Sequence, residues 1–360
     1  MTSPFAPHRQ THPSVIRWLV VVAVMIFIMV VIGGLTRLTE SGLSMVEWKP
    51  LSGWLPPMNS ADWQTLFEKY QATPQFKKQF PDLTVDGFKG IFWLEFIHRV
   101  WGRLIGVVFF LGFIYLLVRR RLSFAMTPHL AVLFVLGAVQ GALGWYMVAS
   151  GLVDRPSVSH YRLAAHLGLA ILIYVYVLWF LFGLVTPRGD DREGRGLRNG
   201  ARIVFVLIGL TVIWGAFVAG LDAGKIHNTF PRTGGQWFPA DYFDRPGFFS
   251  NIFANPVAVQ FNHRVLAVST VVGVFLLWCA TVVRADQPGV RGAATMLLFA
   301  VLVQAGIGIA TLLMAVPVWL GVLHQAMAMV VVTAAVWFAH TFRHTGPAQM
   351  ETILSIRQFG

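Results

Sequence analysis

Four histidines and one carboxylate stand inside long apolar runs of this 360-residue chain: His98, His166, His263, His324 and Glu95. Neutral imidazole binds iron well, and two imidazoles on facing helices can hold a planar iron macrocycle between them. The four come in a repeat. "EFIHRVWG" at 95–102 parallels "QFNHRVLA" at 260–267. "VQGALG" at 139–144 parallels "VQAGIG" at 303–308, and "AAHLGLA" at 164–170 parallels "GVLHQAMAM" at 321–329. The offsets are 165, 164 and 158 residues (263 against 98, 303 against 139, 324 against 166). Near-constant offsets across three separate segments imply two related halves. A single intramembrane histidine commonly does no more than bond a neighbouring helix. Four of them, paired by a repeat, point to two bis-histidine haem irons, one on His98 and His166 and one on His263 and His324.

The halves differ at one position. Glu95 lies three residues before His98, on the same helical face, and Gln260 takes its place in the second half. A carboxylate among apolar neighbours is a candidate acid–base group, and an ion pair with Arg99 or Arg103 is the competing reading. Arg99 and Arg264 each follow a histidine and are candidates for pairing with a haem propionate, as is Arg37 in "GGLTRLTESG". Gly102 and Gly106, Gly168, and the glycines of "GALG" and "AGIG" suit close approach of a flat ligand, or simply of another helix. Of the other histidines, His8, His12, His340 and His344 lie near the termini, His129 begins a span and His227 is in a loop. His160, beside Arg162, could cap a propionate.

The elements that must position these groups follow from composition. Hydrophobic residues make up 56% of the chain and charged residues only 12%, too few to cover a soluble domain. The mean hydropathy is +0.64. The fold class is therefore an all-α polytopic membrane protein. Eight runs are long enough to cross a bilayer, at 15–36, 92–118, 128–149, 161–185, 202–222, 257–283, 293–314 and 318–341. They do not alternate as barrel strands do. The expected architecture is two repeated four-helix bundles. Residues 1–14 form an N-terminal tail, 15–185 the first half with the His98 and His166 site, and 186–201 a linker. Residues 202–341 form the second half with the His263 and His324 site, and 342–360 a C-terminal tail.

The net charge of +12 reflects arginines in alternate loops, such as Arg119 to Arg121 and Arg188 to Arg202, and not a nucleic-acid partner. The positive-inside rule then places tails and linker in the cytoplasm. The loops 38–91 and 223–256, rich in Trp, Pro and Phe, face outward as ordered lids. On this orientation all four histidines sit one to two turns below the outer surface, at about 1.5 Å per residue. The first 14 residues are too short and too poor in Arg for a mitochondrial transit peptide, and the next run lacks a small-residue cleavage site. The single cysteine, Cys279, can form no internal disulfide.

The stretches "GGLTRLTESGLSM", "EFIHRVWGRLIG", "YRLAAHLGLA" and "NHRVLA" closely resemble the haem A synthase family, across nearly the whole chain. The resemblance implies an inner-membrane oxidoreductase that converts the C8 methyl of haem O to a formyl group by successive hydroxylations. The product is haem A for cytochrome oxidase. It implies that His263 and His324 ligate haem b, that His98 and His166 hold the substrate, and that Glu95 matches an essential carboxylate. With no loop cysteines, the chain resembles the cysteine-free proteobacterial and mitochondrial branch. Haem O synthase, an electron acceptor and membrane lipid are the expected partners. The residues alone leave two alternatives open, a bis-histidine b-type electron carrier and a haem transporter. The Glu95/Gln260 asymmetry favours an enzyme over both.

Overall fold

An apolar run in lipid must satisfy its own backbone groups, and a single run can do so only as a helix. The computed structural model describes residues 12–49, 52–152, 156–185 and 194–342. Most of the two tails and residues 186–193 of the linker, with Arg188 and Arg192, lie outside the described residues. So do His8 and His344. In chain order the helices are α1 Pro13–Leu38, α2 Ser60–Gln71, α3 Pro74–Gln79, α4 Val85–Val118, α5 Thr127–Gly151, α6 His160–Val185, α7 Gly194–Gly220, α8 Phe248–Ala254, α9 Pro256–Arg284, α10 Pro288–Leu313 and α11 Val318–Thr341. Eight of them, all but α2, α3 and α8, are long and apolar enough to cross a membrane, and no strand occurs among the described residues. The chain is a multi-pass membrane protein, and each span expected from the sequence is present.

Two spans begin well before their apolar runs. α4 starts at Val85 because the Thr84 side chain accepts a hydrogen bond from the Gly87 N–H, a local N-cap that hydropathy does not register. Of its added residues only Phe88 is buried, and it packs with Phe92 and Phe96 of the same helix and with Phe67 and Tyr70 of α2. α7 starts at Gly194 in the Arg-rich linker because Leu197 and Ala201 still reach the core.

The helices make contacts in the same order in each half. In the first, α1 touches α4, α4 touches α5, α5 touches α6, and α6 returns to α1. In the second, α7 touches α9, α9 touches α10, α10 touches α11, and α11 returns to α7. The halves join through α1 with α11, α6 with α7, and α6 with α11. Two polar ties cross the seam within the spans: Gln325 Nε2 donates to Val30 O at 2.7 Å, and the hydroxyls of Tyr174 and Thr333 lie 2.9 Å apart. The seam also has an ion pair at its long-loop end. Arg37 donates to Ala219 O at 2.7 Å and to Asp222 Oδ2 at 2.9 Å. Arg37 thus joins the two halves here.

Candidate haem sites

Each of the four histidines projects from one helix onto a glycine of the next. A Cβ on Gly33 of α1 would lie 3.3 Å from His98 Nε2, and one on Gly144 of α5 would lie 2.9 Å from His166 Cε1. A Cβ on Gly215 of α7 would lie 3.2 Å from His263 Cε1, and one on Gly308 of α10 would lie 2.8 Å from His324 Cε1. Even an alanine methyl would push these rings. The glycines set how deeply each imidazole seats against its neighbour helix. His98 lies close enough to His166 to sense its charge, and His263 close enough to His324. All four are half-buried.

Polar groups behind the rings set their orientation. His263 Nδ1 lies 3.1 Å from Thr211 O. A proton on Nδ1 donated there leaves Nε2 bare, as iron ligation requires. Gln140 Nε2 lies 3.2 Å from His166 Nδ1, 3.3 Å from its Nε2, and 3.1 Å from its carbonyl oxygen. Gln304 Nε2 lies 3.4 Å from His324 Nε2. Sequence reasoning passed over both glutamines. Their signal was present in "VQGALG" and "VQAGIG", where a carboxamide recurs inside an apolar run.

The arginines beside the histidines turn to the long loops. Arg99 Nε donates to Glu95 Oε1 at 3.0 Å and NH2 to the same oxygen at 2.5 Å. NH1 donates to Glu47 O and NH2 also to Met45 O, both at 2.9 Å. Its guanidinium lies 5.1 Å from the Trp48 ring centre. Arg264 does the equivalent: NH1 donates to Thr229 O at 2.6 Å, and NH2 to His227 O at 2.5 Å and Gln260 Oε1 at 3.0 Å. The loop carbonyls match across the halves at one offset, 182 residues (227 against 45, 229 against 47), and Gly215 follows Gly33 by the same 182. Arg103 clamps the first loop further, donating to Gly53 O at 2.6 Å and Lys49 O at 2.8 Å. The arginines of "WLEFIHRVWGR" therefore bind loop backbone to α4.

Glu95 is only 2% exposed, and its carboxylate is enclosed by donors. Arg99 fills Oε1, while Ser44 Oγ and Met45 N–H each donate to Oε2 at 2.7 Å. An ionised carboxylate is stable in such a place because four hydrogen bonds and a cation replace water. Gln260, also 2% exposed, meets the opposite surroundings and donates to Ala223 O at 2.8 Å and His227 O at 3.3 Å. His160 packs its ring 6.0 Å from Phe217, on α7 of the other half.

The profile of the COX15-CtaA family, described as cytochrome oxidase assembly protein, matches residues 16–336. The chain belongs to this family. Among relatives, a heme A synthase of Paramagnetospirillum magneticum is 46% identical over 334 residues, covering 91% of this chain and 94% of its own length. One of Nitrosospira multiformis is 44% identical over 329 residues, covering 91% and 92%. Heme A synthase COX15 of Arabidopsis thaliana is 39% identical over 348 residues, covering 93% and 76%.

For a COX15-CtaA protein the residues fit two haem groups. Each half supplies two imidazoles and a glycine behind each ring. Among the described residues no three His, Cys, Asp or Glu side chains converge. Two imidazoles alone leave most of an ion's coordination open, whereas a porphyrin supplies the four equatorial nitrogens itself. The donor set therefore suits haem better than a bare ion.

Proposed function

We propose that the chain is a haem A synthase of a bacterial-type inner membrane, oxidising the C8 methyl of haem O to a formyl group. On this reading His98 and His166 hold the substrate haem, His263 and His324 hold a resident haem b, and the tails and linker are cytoplasmic. The pairing of histidines over glycines in both halves carries the reading, together with relatives named heme A synthase that align along nearly the whole chain. Haem b, when bound, supplies one-electron redox chemistry next to the substrate site.

The protein's own groups position and enclose. Gly33 and Gly144 let His98 and His166 seat deeply, which sets the substrate plane. Glu95 acts as a positioning residue. Its charge fixes Arg99, and both bind loop residues 44–47 beside His98, excluding water from the oxidising edge. Arg264 Nε is buried without a partner, so one donor remains there for a carboxylate such as a propionate. An electron acceptor and haem O synthase, as the source of substrate, are the expected partners.

Extraction of the haems from purified protein tests this. A synthase carries haem b with some haem O or haem A. Haem b alone, with no conversion of added haem O under reducing and aerobic conditions, would indicate an electron carrier instead. Reporter fusions after Arg120 and Arg195 should read cytoplasmic, and fusions near Asp62 and Asp241 external. The inverse pattern would overturn the orientation.

A further inference from the structure

Two buried groups in the second half are complementary and unmatched. Gln304 Oε1, an acceptor, and His324 Nδ1, the ring nitrogen that carries the proton when Nε2 binds iron, both lack a hydrogen-bond partner. They belong to side chains already in contact, since Gln304 Nε2 lies 3.4 Å from His324 Nε2. The other histidine of this half has its acceptor, Thr211 O, 3.1 Å from His263 Nδ1. The arrangement recurs in the first half, where Gln140 lies against both nitrogens of His166 and its Oε1 is likewise unpartnered. A carboxamide recurs at matching places in two apolar spans, each time against a histidine ring.

We propose that Gln304 is a positioning residue for haem b: its Oε1 accepts the Nδ1 proton of His324, fixing the tautomer and raising the basicity of the ligating Nε2. This rests on the assignment of His324 as an axial ligand. The motion needed is small. Gln304 borders the Nε2 end of the ring edge that Gly308 faces, so a turn of its soft terminal torsion together with a shift along that edge toward Nδ1 makes the bond. The pairing satisfies both buried groups at once. Axial histidines are generally held this way, by an acceptor on the nitrogen away from the metal. A stronger acceptor there donates more electron density to iron, favours the ferric state and lowers the reduction potential.

The test is redox titration of haem b in the purified full-length holoprotein, with its near-infrared ligand-to-metal band and low-spin resonance values recorded alongside. Gln304→Leu keeps bulk but removes the acceptor. It should retain low-spin haem b, raise its potential and shift the near-infrared band. Gln304→Glu restores an acceptor and should bring the potential back to, or below, that of the wild type. Gln140→Leu sits in the other half and should leave the haem b potential in place. If Gln304→Leu does not accumulate, Gln304→Asn, one methylene too short to reach the ring, should move potential and band in the same direction. Unchanged potential and band in the Leu or Asn variant would overturn the proposal. So would equal shifts in the Leu and Glu variants, which would report only a change in polarity. His324→Ala separates this from the underlying reading. If that variant keeps low-spin haem b, the ligand assignment fails; if it loses haem b while the Gln304 variants are silent, only the role of Gln304 fails.

Discussion

Glu95 and Gln260 stand at equivalent places in the two halves, yet the loops above them present opposite hydrogen-bonding groups. Over Glu95 the loop offers donors, Ser44 Oγ and Met45 N–H. Over Gln260 it offers acceptors, the carbonyls of Ala223 and His227. The neighbouring arginine is common to both and clamps loop carbonyls at matching positions. A repeat can thus keep its scaffold of helices, histidines and clamps while the polarity of one buried contact is reversed. The side chain at 95 or 260 and the loop facing it form a unit, and neither is exchangeable alone.

The largest expected effect separates the two histidine pairs. On the proposed assignment His263→Ala or His324→Ala should abolish the low-spin haem b spectrum, because each would remove one of two axial ligands. His98→Ala or His166→Ala should leave that spectrum largely intact and lose conversion of haem O. Spectra and extracted haems of the four purified variants check this. Loss of haem b in a first-half variant only would exchange the roles of the halves.

The division of the chain into spans was legible in the sequence because it depends on one-dimensional signals, length and hydropathy. The repeat suggested which histidines to pair. What escaped was set by contacts between segments distant along the chain. Arg37 reads as a propionate partner until Asp222, across the seam, is seen beside it. Gly33 opens the stretch "GGLTRLTESG" and Gly215 stands in no quoted stretch, but the meaning of both appears only with His98 and His263 packed on them. Gln140 and Gln304 were visible as repeated letters, but only the fold turns them toward a histidine ring. The direction of Arg99 and Arg264 depends on where two loops return.

The next effect tests the reversed polarity itself. Glu95→Gln recreates the side chain of the second half but not its surroundings. The new amide N–H groups face the Met45 N–H, and Arg99 loses its counter-ion in a buried place. The loop should loosen by about 1–3 kcal/mol, the range for a buried donor left unpaired. Haem b should be retained, with haem O or a partly oxidised alcohol accumulating. Gln260→Glu places a carboxylate against two carbonyls and should destabilise the second half, with lower haem b content. Haem composition and thermal unfolding of both variants provide the check. Full haem A output from Glu95→Gln would remove any need for the charge. Normal stability and haem b in Gln260→Glu would show that loop polarity is unimportant.

The smallest expected effect lies at the edge of the same unit, where the halves differ again: Glu47 follows Met45 in the first loop, and Thr229 holds the matching place in the second. The Glu47 carboxylate is bonded by Lys49 at 2.7 Å and by Lys69 of α2, and hydrogen bonds from these two ammonium groups hold its pKa down to about 2. A depressed carboxylate stabilises the folded loop above its unfolded pKa, near 4.5. That contribution fades as pH falls from there toward 2. Because both the carboxylate and the lysines are substantially solvent-accessible, water and salt screen the pair, and its worth should stay under about 1 kcal/mol. Between pH 5 and 3, amide protection over residues 45–49, corrected for intrinsic exchange, should therefore fall modestly more than over 227–231. Lys69→Met should remove part of that difference by abolishing one of the two ion pairs. Equal pH dependence in the two loops would place the acid-sensitive contact elsewhere and leave the buried Glu95–Arg99 pair as what distinguishes the first half.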